Sequence, residues 1–183
     1  MDYPDLDALS PELTAIIEGK NNANVYKMLM HTPNLAPSFT AMADAVMWSK
    51  AWPATWRELT IVRVGQHFNS PYEVHQHEAI GRLMGLSDEK LAACAIGADQ
   101  SDLSPEERTI LRLTDAIVVN HRLDSAEQAA AKALFNANQF ADFVMTVGYY
   151  QMVSNFLNVF GVQIEDRPLF PDPMPNRERG GKA

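Results

Sequence analysis

A chain of 183 residues, 46% hydrophobic and 21% charged, is long and apolar enough to bury one substantial globular core. Its formal charge of −8 argues against a nucleic-acid surface, where clustered Lys and Arg supply most of the affinity. Cys94 is the one cysteine, which excludes an intramolecular disulfide and any cysteine-based zinc site.

The acidic start, Met1 to Ser10, has neither the basic segment nor the apolar segment of a secretory leader. No run reaches the roughly 18–20 apolar residues of a membrane span. A cytoplasmic protein with no membrane partner is the expectation.

Helical punctuation then recurs along the chain. Ser10-Pro11-Glu12-Leu13 supplies an N-cap, a first-turn proline and an early acid ahead of Ile16 and Ile17. Phe39, Met42, Ala43, Val46 and Met47 fall at helical spacing and stop near Trp52-Pro53. A helix from about Ala54 to Phe68 follows, closed by Asn69-Ser70-Pro71. Pro71 opens the next, which runs to Gly85. Ser87, Ser104-Pro105 and Asp124 each start a further helix, and Asn138 to Phe160 reads as one long helix with Phe143 and Val147 on its buried face. From Glu165 four prolines and two glycines predict an irregular tail, suited to wrapping a neighbouring subunit. The expected architecture is all-α, with about eight helices in one domain. It divides into an N-terminal helical extension over 1–34, a main domain over 35–163 and a tail over 164–183.

Two adjacent helices carry charge on apolar faces. Glu73, His77, Ile80 and Met84 share one face, so a carboxylate and an imidazole enter the interior on successive turns. Glu58, Ile61, Val62 and Gly65 do the same one helix earlier, and Gly65 leaves room for close helix packing. Buried carboxylates are costly unless paired or protonated, which marks these positions as candidates for shifted pKa values and chemistry. The residues alone also allow a structural account, in which Glu73–His77 is a satisfied helix pair and Arg63 is the counter-charge of Glu58. Two ligands on one helix are too few for a metal site.

The segments Arg57-Glu58-Leu59, Arg63-Val64, Ser70-Pro71-Tyr72-Glu73-Val74-His75-Gln76-His77 and Gly85-Leu86-Ser87-Asp88-Glu89 resemble the carboxymuconolactone decarboxylase family. The likeness continues through Glu107-Arg108 and Gly148-Tyr149-Tyr150 and covers roughly residues 35–163. The peroxidase branch, alkyl hydroperoxide reductase D, carries a glutamate, a Cys-x-x-Cys and a histidine. Its glutamate and histidine fall on Glu58 and His77, but its cysteines fall on Ser70 and Glu73. Without thiolates there is no peroxide nucleophile and no disulfide to cycle.

The resemblance therefore implies the helical bundle of alkyl hydroperoxide reductase D in a non-thiol branch. It implies a lyase, decarboxylase or isomerase that needs no cofactor and acts by proton transfer on a small oxygenated acid or lactone. It also implies a homo-oligomer, trimeric, hexameric or dimeric. In that reading His77, of near-neutral pKa, is the general acid or base, Glu73 orients and tunes it, and Glu58 is a second proton carrier or stabilises the protonated imidazole. Tyr72, Ser70 and Arg63 are candidate substrate contacts. Ser70 has a structural use as N-cap, and Arg63 one as counter-charge. Tyr149 and Tyr150 are expected at a subunit interface, Trp48, Trp52 and Trp56 in core or interface, and His31, His67 and His121 without partners. A non-catalytic ligand binder or scaffold is the alternative, and a peroxidase as in the thiol branch is a further one.

Overall fold

The computed structural model describes residues 1–170. Among them the secondary structure is entirely helical: α1 (Pro11–Gly19), α2 (Asn24–Leu29), α3 (Ala36–Met47), α4 (Ala54–His67), α5 (Pro71–Met84), α6 (Asp88–Ile96), α7 (Pro105–Asn120), α8 (Ser125–Leu134) and α9 (Ala137–Phe160). The expected caps form at Ser10, Ser87, Ser104 and Asp124, the last two as reciprocal capping boxes with Glu107 and Glu127. Asn136 adds a third box with Gln139 at the start of α9. Gly85 ends α5 in the left-handed region at φ 101°, where a side chain would be strained.

One helix, α2, escapes the reading of the sequence, and the reason is physical. Its N-cap is Ala23, which has no capping oxygen. The Asn24 N–H instead donates to the carboxylate of Glu165 at 2.6 Å, across 141 positions of sequence. A cap supplied from that distance leaves no local signal.

α4 is the central element and packs on α5, α6, α7 and α9. Leu59, Ile61, Val62 and Val64 point in different directions around it, and all are fully buried. Ile61 and Val64 join Trp52, Ile110, Phe143 and Val147 in the main core. Leu59 and Val62 join Leu91, Cys94 and Leu111 in a second core. A third cluster of Ile17, Leu29, Met30 and Ala36 fastens the N-terminal helices.

Two glycines face the partner helix across the α4–α5 contact. A Cβ on Gly65 would meet Val74 Cγ2 at 3.0 Å and Glu73 Cβ at 3.4 Å, and one on Gly81 would meet Glu58 Cβ at 3.6 Å. The packing that brings Glu58 beside Glu73 and His77 depends on this pair.

The segment after α9 does not leave the body of its own chain. The Asn24 side chain donates to the Gln163 carbonyl at 3.0 Å, and Asn21 donates to the Leu169 carbonyl at 3.2 Å. Residues 171–183, most of the stretch expected to wrap a neighbour, lie outside the described residues. Among the described residues no helix is long and apolar enough to cross a membrane.

Candidate active site

α4 and α5 present their charged residues to each other. Glu58, fully buried, takes a hydrogen bond from Arg57 Nε on Oε1 at 3.0 Å and one from His77 Nδ1 on Oε2 at 2.7 Å. On the other side of the ring, His77 Nε2 lies 3.0 Å from Glu73 Oε1. The edge of Tyr150 packs on the imidazole with ring centroids 4.9 Å apart. Arg57, Glu73 and His77 are each less than a tenth exposed, so the four charges interact with little water between them.

This environment sets the protonation of His77. Burial alone would lower its pKa, but the Glu58 charge and the bonds to Glu58 and Glu73 outweigh burial and raise it to about 9. The expectation of a near-neutral histidine is corrected: at neutral pH the ring is an imidazolium held between two carboxylates. Neither ring nitrogen is free to act as a base.

The cluster forms one wall of a cavity of about 380 Å³. Arg57, Glu73 and His77 line it, whereas Glu58 lies behind them. The opposite walls come from α1–α3, from Tyr149, Tyr150 and Val153 of α9, and from Leu169 and Phe170.

The other expected site residues divide. Tyr72 lines the cavity, but its hydroxyl donates to Glu165 Oε1 at 2.7 Å and accepts from the Val25 N–H at 3.4 Å. Burial, followed by the Glu165 bond, raises its pKa far above the ordinary phenol value. Ser70 is buried at the start of α5, lies away from the cavity, and makes no side-chain capping bond; its Oγ has no partner among the described residues. Its backbone at ψ 88° departs from the extended geometry of Ser10, Ser87 and Ser104, whose hydroxyls do cap.

Arg63 is corrected on both counts. It neither reaches Glu58 nor lines the cavity, because it points toward α7 and forks onto Asp115 at 2.6 and 3.1 Å. The counter-charge of Glu58 is its chain neighbour Arg57. His67, expected to lack a partner, bonds Asp115 Oδ1 at 2.6 Å. Tyr149 and Tyr150 are buried in the cavity wall and not displayed at a subunit surface. Trp52 is core, whereas Trp48 is 56% exposed and borders the cavity.

Sequence reasoning missed Arg57, Gln76, Tyr150 and Glu165. Gln76 offered a signal, since it follows Tyr72 by one helical turn on the buried face of α5; its amide donates to Glu165. Glu165 offered none.

Cys94 belongs to the second core and not to the cavity. Its S–H donates to the Leu59 carbonyl at 3.4 Å, and burial pushes the thiol pKa up to about 12. No thiolate forms there at physiological pH.

Residues 33–116 match the model of the carboxymuconolactone decarboxylase family. This segment contains α3 to α6, most of α7, and all of Glu58, Glu73 and His77. A search of the curated proteins found no match.

Solved structures place the fold among proteins of the alkylhydroperoxidase AhpD type. An uncharacterized peroxidase-related protein from Ralstonia eutropha JMP134, with an AhpD core, superposes with TM-score 0.80 at 22% identity, over 91% of this chain and 92% of that one. A protein of unknown function from Agrobacterium tumefaciens, described as a putative antioxidant defence protein AhpD, gives TM-score 0.71 at 16% identity, over 76% and 96%. The debrominase Bmp8, solved as a cysteine-to-alanine variant in complex with 2,3,4-tribromopyrrole, gives 0.72 at 14% identity, over 86% of both chains.

Proposed function

We propose that this protein is a cofactor-independent enzyme of the lyase or isomerase kind, which moves a proton on a small oxygenated molecule bound in the 380 Å³ cavity. The observation that carries this reading is the Glu73–His77–Glu58 relay, in which one carboxylate faces the cavity and the other is sealed behind the ring. Glu73 is the group that takes the proton from the substrate, a role the sequence had suggested for His77. The His77 imidazolium holds Glu73 in place, and Glu73, once protonated, returns the proton to the carbanion or leaving group. Glu58 keeps the ring charged and oriented.

Positioned proton transfer contributes about 10²–10⁴-fold to rate. A screen of lactones, β-keto acids and related carbonyl compounds for exchange of C–H for C–D in D2O identifies a responsive substrate. On that substrate His77→Ala and Glu73→Gln are each expected to lose about 10²–10⁴-fold in kcat. Full turnover by either variant rules out the relay. Thiol chemistry is tested separately, by thiol-dependent peroxide consumption: absent activity, or activity undiminished in Cys94→Ser, eliminates the peroxidase reading, and activity lost in that variant favours it. Assembly into a homo-oligomer is part of the proposal, and light scattering after size exclusion checks it.

A further inference from the structure

The charge inventory of the cavity says what kind of molecule it accepts, given the proton-transfer reading above, on which this inference rests. On the reactive wall two cations, Arg57 and His77, face two anions, Glu58 and Glu73. Across the cavity the Lys20 ammonium is paired with Asp44, and both line the space. Each cationic group of the described lining thus already has its own carboxylate. Glu165, beneath Tyr72 and Gln76, adds one further negative charge close by. A carboxylate ligand would enter as an uncompensated buried charge, and such charges are strongly unfavourable.

The remaining surface is aromatic and aliphatic, with Tyr26, Phe39, Trp48, Tyr149 and Phe170 around the space. A dry cavity of roughly 150 Å³ holds a benzene molecule. A volume of about 380 Å³ therefore suits a ligand of about two rings.

We propose that the substrate is an uncharged ring-bearing carbonyl compound, a ketone or lactone of about two rings, and that the site discriminates against carboxylates. The reaction is then a proton shift and not a decarboxylation. The Glu73 carboxylate accepts the proton from the carbon beside the carbonyl. The C–H electron pair becomes the C=C bond of an enolate, and the negative charge passes from Glu73 to the enolate oxygen. The wall and its ligand keep the same total charge throughout. Arg57 uses Nε on Glu58 and lines the cavity, so its outer guanidinium N–H groups are the donors available to that oxygen. Where a C=C bond of the ligand is conjugated with the enolate, return of the proton from Glu73 to the far end of that dienolate completes an isomerisation with no oxidant or co-reactant, and return to the original carbon is exchange.

The test is calorimetric titration of the full chain with 2-tetralone and with its 6-carboxylate at neutral pH, together with proton exchange of both in D2O. The native protein is expected to bind the ketone saturably and the carboxylate about tenfold more weakly or worse. Asp44→Asn, at a half-exposed position of the lining, frees Lys20 and is expected to shift the ratio of carboxylate to ketone affinity several-fold toward the carboxylate. Equal or tighter binding of the carboxylate by the native protein, no saturable ketone binding, or no response to Asp44→Asn overturns the proposal. The exchange arm reads the underlying function separately. A bound ketone whose C–H exchange is not accelerated defeats proton transfer and leaves the ligand class standing. Accelerated exchange on a tightly bound carboxylate does the reverse.

Discussion

α4 carries two arginine–carboxylate–histidine clusters less than two turns apart, and they differ in almost everything except composition. Arg57, Glu58 and His77 are buried, open onto a cavity through Arg57 and His77, and are joined by a second carboxylate, Glu73. Arg63, Asp115 and His67 are part-exposed, away from the cavity, and have no further acid among their described partners. In the second cluster Arg63 also donates to the carbonyls of Cys94 and Ala95 near the end of α6, so it ties three helices together. The same three kinds of charged group form a cavity wall in one place and a clamp in the other. Burial and the surplus carboxylate decide which.

Glu58→Ala should have the largest effect. It leaves Arg57 and His77 charged and buried without their shared acceptor, and the cost of breaking such a pair is about 3–5 kcal/mol. Denaturant unfolding measures it. If the loss stays below about 1 kcal/mol, the range of a surface ion pair, then the cluster is better hydrated than its burial indicates.

The next effect is the pH dependence of stability. The pKa of His77 is raised from the ordinary 6.5 to about 9, so the folded chain binds its proton more tightly than the unfolded chain. This contribution is fully present below about pH 6.5 and is lost as pH rises through about 9. A shift of this size corresponds to roughly 3 kcal/mol. Stability should therefore fall on the alkaline side in the native chain and stay flatter there in His77→Gln. Asp115 acts in the opposite direction. Burial would raise its pKa, but the bonds from His67 and Arg63 prevail and lower it, so its contribution is present at neutral pH and lost as pH falls into the acid range.

The contrast between the clusters was only half legible in the sequence. Period-3.6 spacing placed Glu73 and His77 on one buried face, and Gly65 announced the close approach that carries them to Glu58. The partner of Glu58 was misread because adjacent residues on a helix do not normally face each other. Arg57 does so by folding its long side chain back, whereas Arg63 is taken by Asp115, 52 positions on. The same limit hid Glu165, whose three partners, Asn24, Tyr72 and Gln76, lie 89 to 141 positions away. Local periodicity reports which face is buried. It does not report which distant group will be waiting there, and for this site those groups set the charge.

The smallest effect, and the sharpest test of the comparison, comes from Asp115→Asn. The amide keeps the shape of the carboxylate, so packing is preserved and only the charge of the clamp is removed. Its partners are part-exposed, Arg63 retains its bonds to two carbonyls, and water can replace the rest. The expected loss is therefore about 1–2 kcal/mol, below that of Glu58→Ala. Turnover and the pKa of His77 should not move, because no group of this cluster lines the cavity. Salt provides the control, since screening weakens exposed pairs far more than buried ones. Raising ionic strength should shrink the Asp115→Asn difference and leave that of Glu58→Ala nearly unchanged. Equal salt sensitivity in the two variants would mean that burial does not separate the clusters, and the assignment of one as site and the other as clamp would fail.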